Sequence, residues 1–374
     1  MLIGGMFDVD VNEVHHKQDK NDFPFRFDTE GKYNRKIYTN NGRTATTYVF
    51  LYGMKLEKGA KVLVPEYNCI SVFNALEAAG VEFKVYQVNP GLVIDTKDLE
   101  RKITPDCRAI YLIHYFGVPQ PVEVADEIKR IAGKYNLYIL EDLTQTLLSR
   151  AGGRIGFGDY LVMSTRKWYP TTDGGIAAAR DDVDFEMVDL PDGYDEAVYR
   201  QMLVSLERKY FAVDSTRNIK EYLTLEKEAN QARYLDFTPK KMTEVSGNIF
   251  FHANHEYSVE RRRENYMYLY RNLRDISGLK VFGEPLDPEG NYVPFGFMVT
   301  VEFRDEFYNY LAERGIIGEI QWILPEQYYK PGQYAEFLTK HSLMLQCDQR
   351  YGISEMEYTV QVIRDYFKNK ERAV

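Results

Sequence analysis

Short apolar segments alternate with helical patterns in the first half of the chain, and this alternation constrains the fold more than any other feature of the sequence. The segments of strand length are residues 61–65, 81–88, 109–114, 137–142, 160–164 and 176–179, and helical patterns cover residues 44–56, 71–79 and 121–135. Strands that alternate with helices predict crossover connections and a mostly parallel sheet. Most of these strands are apolar throughout, which is typical of a sheet covered by helices on both faces.

The second half of the chain has a different pattern, which predicts a smaller α+β domain. Its predicted elements are a charged helical stretch at residues 181–240, a long amphipathic helix at 244–273, a strand at 292–301, and helices at 306–314 and 355–368. We therefore predict two domains. Residues 1–240 form an N-terminal arm and a large domain, and residues 241–374 form a small C-terminal domain.

Composition excludes several classes of protein. The 374 residues are 44% hydrophobic and 28% charged, as in an ordinary globular protein. The net charge of −9 argues against a nucleic-acid partner, since such proteins usually need a basic face. No apolar run approaches the 18 residues of a membrane-spanning helix. Cys69, Cys107 and Cys347 are far apart, so we expect free thiols and a reducing compartment such as the cytoplasm.

Side chains that could carry chemistry follow three of the predicted strands. They are His114, Tyr115 and Gly117 after the first of these strands, Glu141, Asp142 and Gln145 after the second, and Ser164, Arg166 and Lys167 after the third. Because ligands bind at the carboxyl ends of parallel strands, these residues are expected at one edge of the sheet. Gly42 precedes the first predicted helix, which begins at Thr44, and the free amides and the helix dipole at this point suit an anion.

A lysine, a carboxylate, a serine and a helix start at one sheet edge suit pyridoxal 5'-phosphate. This cofactor needs a lysine for its aldehyde, a carboxylate partner for its ring nitrogen, and donors for its phosphate. Each residue also has an ordinary structural alternative. Lys167 could be a solvated loop lysine, Asp142 a helix N-cap, and Ser164 a cap at a strand end.

Six stretches of the chain resemble motifs of the DegT/StrS-type sugar aminotransferases, a branch of the fold-type I pyridoxal-phosphate enzymes. In chain order they are residues 41–45, 64–80, 114–117, 141–145, 164–175 and 345–351. The resemblance runs from about residue 37 to 180 and returns from about 315 to 367. It rests on the order and spacing of the motifs together rather than on any one of them.

The resemblance implies a fold, a cofactor and a reaction. The fold is a fold-type I transferase, in which a large domain with a mostly parallel seven-stranded sheet between helices is joined to the smaller C-terminal α+β domain. The cofactor is pyridoxal 5'-phosphate, and the reaction transfers an amino group from glutamate to a keto sugar, which is expected to be attached to a nucleotide. The resemblance also implies a homodimer with the cofactor near the subunit seam, and no membrane or nucleic-acid partner.

The resemblance assigns roles to particular residues. Lys167 forms the Schiff base with the cofactor and then moves protons, and Asp142 faces the ring nitrogen. The remaining residues of the implied cofactor site are Gly42, Arg43, Thr44 and Ser164 at the phosphate, Gln145 beside the ring hydroxyl, and His114, Tyr67 and Cys69.

Two departures from the family pattern leave residues open. Cys69 occupies the position where many members stack an aromatic residue on the cofactor ring, and Tyr67, two residues earlier, is the alternative. Pro239 occupies the position of an asparagine that many members send to the phosphate of the neighbouring subunit, and Lys240 or Lys241 could supply charge instead.

Three hypotheses remain open at this point. The first is the sugar aminotransferase, favoured because Lys167 is retained where the family's dehydratases carry histidine. The second keeps the cofactor but acts on another amine. The third is a catalytically altered protein that serves as a scaffold or regulator, suggested by Cys69 and Pro239. The sequence does not specify the sugar, the carbon, the nucleotide or the arginine that binds the donor.

Two histidines and two pairs of aromatic residues have both a functional and a structural interpretation. His252 and His255 could bind a metal only with a third ligand, and exposed helix positions are the simpler interpretation. The aromatic pairs Trp168-Tyr169 and Tyr328-Tyr329 could line a sugar pocket or pack a seam between domains or subunits.

Overall fold

A computed structural model describes residues 2–7, 31–150, 154–213, 219–233, 236–282, 286–287, 290–329 and 332–371. Most of the predicted N-terminal arm lies outside the described residues. The strands are β1 (Ile3–Gly4), β2 (Arg35–Thr39), β3 (Lys61–Pro65), β4 (Glu82–Tyr86), β5 (Val88–Asn89), β6 (Val93–Ile94), β7 (Cys107–Ile113), β8 (Tyr138–Asp142), β9 (Tyr160–Ser164), β10 (Gly175–Ala179), β11 (Leu279–Val281), β12 (Phe297–Val301), β13 (Ile316–Ile317) and β14 (Ser342–Leu345).

Helices connect and cover these strands. The α-helices are α1 (Gly42–Tyr48), α2 (Ile70–Ala78), α3 (Thr96–Arg101), α4 (Val122–Tyr135), α5 (Glu196–Val213), α6 (Ile219–Arg233), α7 (Glu244–His252), α8 (His255–Leu273), α9 (Arg304–Ala312), α10 (Tyr334–His341) and α11 (Ile353–Glu371). A π-helical turn at Val49–Gly53 continues α1, and a 3-10 turn covers Glu326–Tyr328. None of the described helices combines the length and the apolar character needed to cross a membrane.

A seven-stranded sheet forms the larger layer of the fold, in the order β2-β10-β9-β8-β7-β3-β4. The strands from β9 to β4 are parallel, and β10 is antiparallel to both of its neighbours. Every residue of β9 and β10 is buried, as expected for strands covered on both faces. The predicted α/β architecture with a mostly parallel seven-stranded sheet is confirmed.

A second core forms around the antiparallel sheet β11-β12-β14. Leu269 of α8, Phe307 of α9 and Ile363 of α11 pack with Phe297 and Leu343 of the sheet. The strand β1, near the N-terminus, joins this core by pairing in parallel with β13. The domain boundary at residue 240 remains a prediction.

Several predicted boundaries differ from the structure for local reasons. The helix predicted at residues 244–273 is two helices, because Asn254 interrupts it and caps α8 by accepting a hydrogen bond from the amide of Tyr257 at 3.0 Å. The strand predicted from residue 292 begins only at Phe297, after Pro294, which has no amide to donate to a ladder. The edge strand β2 was not predicted, since its mixed charged and apolar sequence lacks a buried-strand pattern.

Glu66, directly after β3, is a buried acid to which the resemblance assigns no role. It is only 1% exposed, and its Oε1 accepts a hydrogen bond from the amide of Val88 at 3.2 Å while Oε2 has no hydrogen-bond partner. Burial raises its pKa from 4.5 to about 7, against the opposing charge of Lys102. A raised pKa means that Glu66 favours folding below about pH 4.5, and that this contribution is lost as the pH rises to about 7 and above.

We expect Glu66→Gln to stabilise the protein at pH 8 by up to about 3 kcal/mol and to have little effect near pH 4.5. Glutamine keeps the shape and the acceptor for Val88 but carries no charge that must be buried. Thermal unfolding followed by circular dichroism at several pH values measures this difference. Glu77→Gln, at an exposed position of α2, is the matched control. Equal stability of the Glu66 variant and the parent at pH 8 would contradict the expectation.

Candidate active site

The edge of the sheet where the parallel strands end is built around a close contact between α1 and β10. Gly175 pairs with Thr39 on one side and with Ser164 on the other, so three strands meet at this point. A Cβ atom on Gly175 would lie 2.1 Å from the carbonyl oxygen of Asn41, and one on Gly174, which has φ of +124°, would lie 2.1 Å from the hydroxyl of Thr165. Gly175 is therefore required if the start of α1 is to rest on the sheet edge, and Gly174 is required for the close approach of Thr165.

The start of α1 is fixed by its capping residues. The side-chain oxygen of Asn41 accepts hydrogen bonds from the amides of Arg43 and Thr44, at 3.0 and 3.1 Å, and the hydroxyl of Thr44 accepts one from the amide of Asn41. The hydroxyl of Thr44 also donates to Asn40 at 2.7 Å and is buried. Thr44 thus stabilises the turn, while Gly42 and Arg43 line the cavity beside it.

This cavity brings together six of the predicted site residues: Gly42, Arg43, Cys69, Asp142, Ser164 and Lys167. They come from the start of α1, the segment after β3, the ends of β8 and β9, and the loop after β9. The expectation that strand ends gather at one edge therefore holds for these residues.

Asp142 and Lys167 are connected through one residue at the centre of the cavity. The Oδ1 of Asp142 accepts a hydrogen bond from the amide of Thr144 at 2.7 Å, and the Nζ of Lys167 donates to the hydroxyl of Thr144 at 3.3 Å. The other carboxylate oxygen of Asp142 accepts a hydrogen bond from the hydroxyl of Tyr111. Burial, and to a smaller extent the charge of Asp142, holds the pKa of Tyr111 well above its usual value, so this hydroxyl stays a donor.

The loop that carries Lys167 is anchored at two positions that follow the lysine. The indole of Trp168 donates to the carbonyl of Thr144 at 2.9 Å. Asp173 accepts hydrogen bonds from the amide and the hydroxyl of Thr243 at 2.8 and 2.6 Å, which ties the loop to the start of α7. Burial raises the pKa of Asp173, and these hydrogen bonds oppose the shift. The backbone that follows the lysine is thus held by tertiary contacts rather than by a helix or strand.

His114 is turned away from the cavity. Its Nδ1 accepts a hydrogen bond from the amide of Gln120 at 2.9 Å, so its Nε2 carries the proton and donates to Glu141 at 2.8 Å. The carboxylate of Glu141 also accepts hydrogen bonds from the amides of three consecutive residues, Gly156, Phe157 and Gly158. The structure therefore gives His114 a structural position on the far side of the sheet, not the predicted place beside the cofactor.

Tyr67 and Gln145 also lie outside the set of residues that line the cavity. The hydroxyl of Tyr67 donates to the carbonyl of Gln321, and its ring centroid lies 5.1 Å from that of Trp322. Gln145 accepts a hydrogen bond from the amide of Phe116 and donates to the side chain of Gln321 at 3.2 Å. Both side chains join the seven-stranded sheet to the segment that carries Gln321 and Trp322.

Trp322, Tyr111, Thr144 and Asn41 line the cavity but were not predicted as site residues. Tyr111 lies inside an apolar strand pattern, which indicates a core residue, and Trp322 lies in an irregular segment far along the chain. Only Asn41 carried a local signal, because it stands where an N-cap is expected before α1.

A second, larger cavity of about 420 Å³ adjoins the first. Both cavities are lined by Cys69, Arg166, Lys167 and Trp322, so they meet at these residues and Lys167 borders both. The other polar side chains of the larger cavity include Glu226 of α6, and Glu319, Gln321, Gln346, Asp348 and Arg350 of the C-terminal half.

The remaining sequence candidates have structural partners. Lys240 pairs with Asp195 and Asp236 of its own chain, each at 2.8 Å, and Lys241 pairs with Asp189 at 2.6 Å. His255 is hydrogen-bonded to Tyr169. The described residues contain no cluster of three or more potential metal ligands. The aromatic pairs pack in the interior: Trp168 and Tyr169 are buried, and Tyr328 stacks on Phe73 with centroids 4.1 Å apart.

The residues around the smaller cavity fit pyridoxal phosphate. Lys167 offers an amine for the aldehyde, and Asp142 offers a carboxylate whose orientation is fixed by two donors. Gly42 at the start of α1 and Ser164 beside it offer amide and hydroxyl donors suited to a phosphate. The chemistry of this donor set matches what the cofactor requires.

Comparisons with known proteins agree with this geometry. A model of the DegT/DnrJ/EryC1/StrS aminotransferase family matches residues 19–202. The chain is 26% identical over 290 residues to dTDP-4-dehydro-2,3,6-trideoxy-D-glucose 4-aminotransferase of Saccharopolyspora spinosa, which covers 75% of this chain and 69% of that protein. It is 29% identical over 167 residues to GDP-perosamine synthase of Escherichia coli O157:H7, covering 43% of this chain and 45% of that protein.

Solved structures share the fold at lower identity. The chain superposes on S. venezuelae DesV in complex with a ketimine intermediate with a TM-score of 0.62 and 20% identity, covering 90% of this chain and 85% of that one. It superposes on E. coli GDP-4-keto-6-deoxy-D-mannose-3-dehydratase with bound hydrated PLP with the same TM-score and identity, covering 88% and 87%. The predicted fold-type I architecture and cofactor are confirmed, and the comparisons support the predicted resemblance to the DegT/DnrJ/EryC1/StrS aminotransferases.

Proposed function

We propose that this aminotransferase moves an amino group from glutamate to a keto sugar that is attached to a nucleotide. The observation that carries the proposal is the link from Asp142 through Thr144 to Lys167 in a cavity that opens into a larger polar space. The curated relatives act on dTDP- and GDP-linked sugars, which supports the class of substrate.

When bound, pyridoxal phosphate supplies an electron sink next to the carbon that gains or loses the amino group. The Nζ of Lys167 would hold the cofactor and would move a proton to and from that carbon. Asp142, oriented by Tyr111 and the amide of Thr144, holds a proton on the ring nitrogen. Gly42, Arg43 and Ser164 bind the phosphate at the start of α1.

Trp322 is our candidate for the aromatic residue that faces the cofactor ring, a role that the sequence left between Cys69 and Tyr67. Trp322 and Cys69 both line the smaller cavity, whereas the hydroxyl of Tyr67 is hydrogen-bonded to the carbonyl of Gln321 behind it. The indole is partly exposed and packs against the ring of Tyr67, which supports it from behind. A flat ring against the cofactor supplies the stacking energy that a thiol cannot.

We expect Trp322→Ala to raise the dissociation constant of pyridoxal phosphate about tenfold, and Trp322→Phe to change it by less than about threefold, since phenylalanine keeps an aromatic face. Titration of the cofactor-free protein measures both constants. The chain has only two tryptophans, so in Trp168→Phe the fluorescence reports on Trp322 alone, and bound cofactor should shield it from acrylamide. Cys69→Ala serves as the comparison, and a larger loss of affinity in that variant would assign the ring contact to Cys69.

The proposal includes a homodimer. Tyr199, Leu203 and Leu206 lie on one face of α5 at helical spacing and are 54%, 61% and 45% exposed, which is unusual for apolar side chains of a monomer. A second copy of the chain is the simplest partner for this face. Light scattering of the cofactor-loaded protein should give twice the mass of one chain, and the mass of a single chain would contradict the dimer.

A cytoplasmic location is proposed on the state of the cysteines. Cys69, Cys107 and Cys347 are all free in the structure, and Cys107 and Cys347 are buried. Free thiols are typical of reducing compartments. Recovery of the native protein from a soluble cell extract, rather than from a secreted or membrane fraction, tests this.

The proposed function is tested in two steps. Adding glutamate to the cofactor-loaded protein should shift the cofactor absorbance, because the amino group passes to the cofactor. A panel of dTDP- and GDP-linked 4-keto sugars should then restore the original absorbance and yield an amino sugar detectable by mass spectrometry. A shift with glutamate but no turnover of any keto sugar would favour another amine acceptor. Bound cofactor that responds to no amine would favour the scaffold or regulator.

A further inference from the structure

A carboxylate with a fixed orientation lines the larger cavity. The Oε2 of Glu319 accepts a hydrogen bond from the side chain of Gln321 at 2.8 Å, and its Oε1 accepts one from the side chain of Gln346 at 3.0 Å. Both glutamines are buried, whereas Glu319 itself is exposed where it borders the cavity. The backbone is fixed as well, because Glu319 and Met344 exchange two hydrogen bonds of 2.8 Å.

A chain of amides sets the direction of these hydrogen bonds. The backbone amide of Phe116 can only donate, so the side chain of Gln145 receives it through Oε1 and turns its Nε2 toward Gln321. Gln321 must then accept through Oε1, which leaves its Nε2 to donate to Glu319. This series of hydrogen bonds ends on the carboxylate of Glu319, and it explains why Gln145 lies outside the cofactor cavity.

The arrangement selects for ligands that donate hydrogen bonds. Each oxygen of Glu319 accepts a hydrogen bond from one side-chain amide, so each keeps further acceptor capacity toward the cavity. Asp348 in the same cavity is already engaged by Arg350 in a two-point pair with distances of 2.8 Å. Hydroxyl groups on adjacent ring carbons suit an oriented carboxylate, because each hydroxyl can donate to one of its oxygens.

We propose that Glu319 is a specificity-determining residue that accepts hydrogen bonds from hydroxyl groups of the sugar ring, with Gln321 and Gln346 as its positioning residues. The inference rests on the proposed function and deepens it. It predicts that the enzyme distinguishes sugars by their ring hydroxyls and that this distinction depends on Glu319.

Two sugars that differ only in ring hydroxyls test the inference. dTDP-4-keto-6-deoxy-D-glucose has hydroxyls at carbons 2 and 3, and dTDP-4-dehydro-2,3,6-trideoxy-D-glucose lacks both. Their dissociation constants can be measured by calorimetry on the cofactor-loaded enzyme before it has received an amino group, so that no turnover occurs. We expect Glu319→Gln to weaken binding of the hydroxylated sugar by about 10-fold or more, and binding of the trideoxy sugar by less than about twofold.

Two further variants separate specificity from folding. Glu326→Gln removes the same charge from an exposed site seven residues away and should leave both constants unchanged. Gln346→Leu keeps the carboxylate of Glu319 but removes one of the amides that orient it. This variant should weaken binding of the hydroxylated sugar selectively, by a smaller factor than Glu319→Gln does. Glu319→Asp should restore part of the loss, because the acceptor group is retained.

The outcomes are distinct. An equal loss for both sugars, or no loss for either, in Glu319→Gln would overturn the inference while leaving the aminotransferase reaction intact. If the unmodified enzyme binds neither sugar yet still exchanges amino groups with glutamate, the nucleotide-sugar proposal fails, and the hydroxyl assignment fails with it.

Discussion

Lys167→Ala should abolish covalent attachment of the cofactor and lower the rate of amination by at least about 10⁴-fold. The variant loses the amine that binds the aldehyde and also the group that moves the proton, and general acid–base catalysis alone is worth about 10²–10⁴-fold. Borohydride reduction followed by peptide mass spectrometry measures the attachment directly. The reduced adduct should be found at Lys167 in the unmodified enzyme and should disappear in the variant.

Lys241→Ala is the matched control for this experiment. Lys241 forms a surface ion pair with Asp189 and lies in the segment that borders Thr39, so its removal changes the charge near the site without removing a cavity residue. We expect the adduct at Lys167 to persist in this control. An adduct at Lys240 or Lys241 in the Lys167 variant would mean that the lysine loop was assigned to the wrong segment.

The period of the strands explains which site residues could be predicted and which could not. Strand ends identified the edge of the sheet, and Asp142, Ser164 and Lys167 lie there as expected. The strand ends do not say which face of the sheet holds the ligand. Successive side chains alternate between faces, and the register pairs Ile113 with Asp142, so these two share the cavity face.

The same alternation accounts for His114. It follows Ile113 and therefore points to the opposite face, where Glu141, the residue before Asp142, also points. The two meet there in a buried hydrogen bond. His114 and Glu141 stand at strand ends, which suggested that they belong to the site. Once Asp142 is known to lie on the cavity face, the alternation of side chains places both residues on the other face.

Contacts distant in the sequence explain the rest. Trp322 reaches the cavity because Tyr67 supports it across 255 positions of the chain, and Gln145 bonds Gln321 across 176 positions. Strand and helix periodicity describes only neighbours within a few residues, so it cannot bring these pairs together. Cys69 fits the same explanation. Its position lacks an aromatic side chain, and Trp322, from a segment distant in the sequence, lines the same cavity.

Asp142→Asn is expected to lower kcat by about 10²–10⁴-fold while the fold is retained. Asparagine keeps an oxygen that can accept from Tyr111 or from the amide of Thr144, but it cannot balance a proton on the ring nitrogen. The pH dependence of the cofactor absorbance provides a readout that is independent of turnover. It should change in the variant because the charge facing the ring has been removed.

Tyr111→Phe separates the charge of Asp142 from its orientation. The variant removes one of the two donors and leaves the amide of Thr144 in place, so we expect a loss in kcat of only about 10-fold. A loss as large as that of Asp142→Asn would assign Tyr111 a direct contact with the cofactor. The smaller loss would instead identify the hydroxyl as a positioning group, because a side chain still held by one amide loses only part of its alignment with the ring.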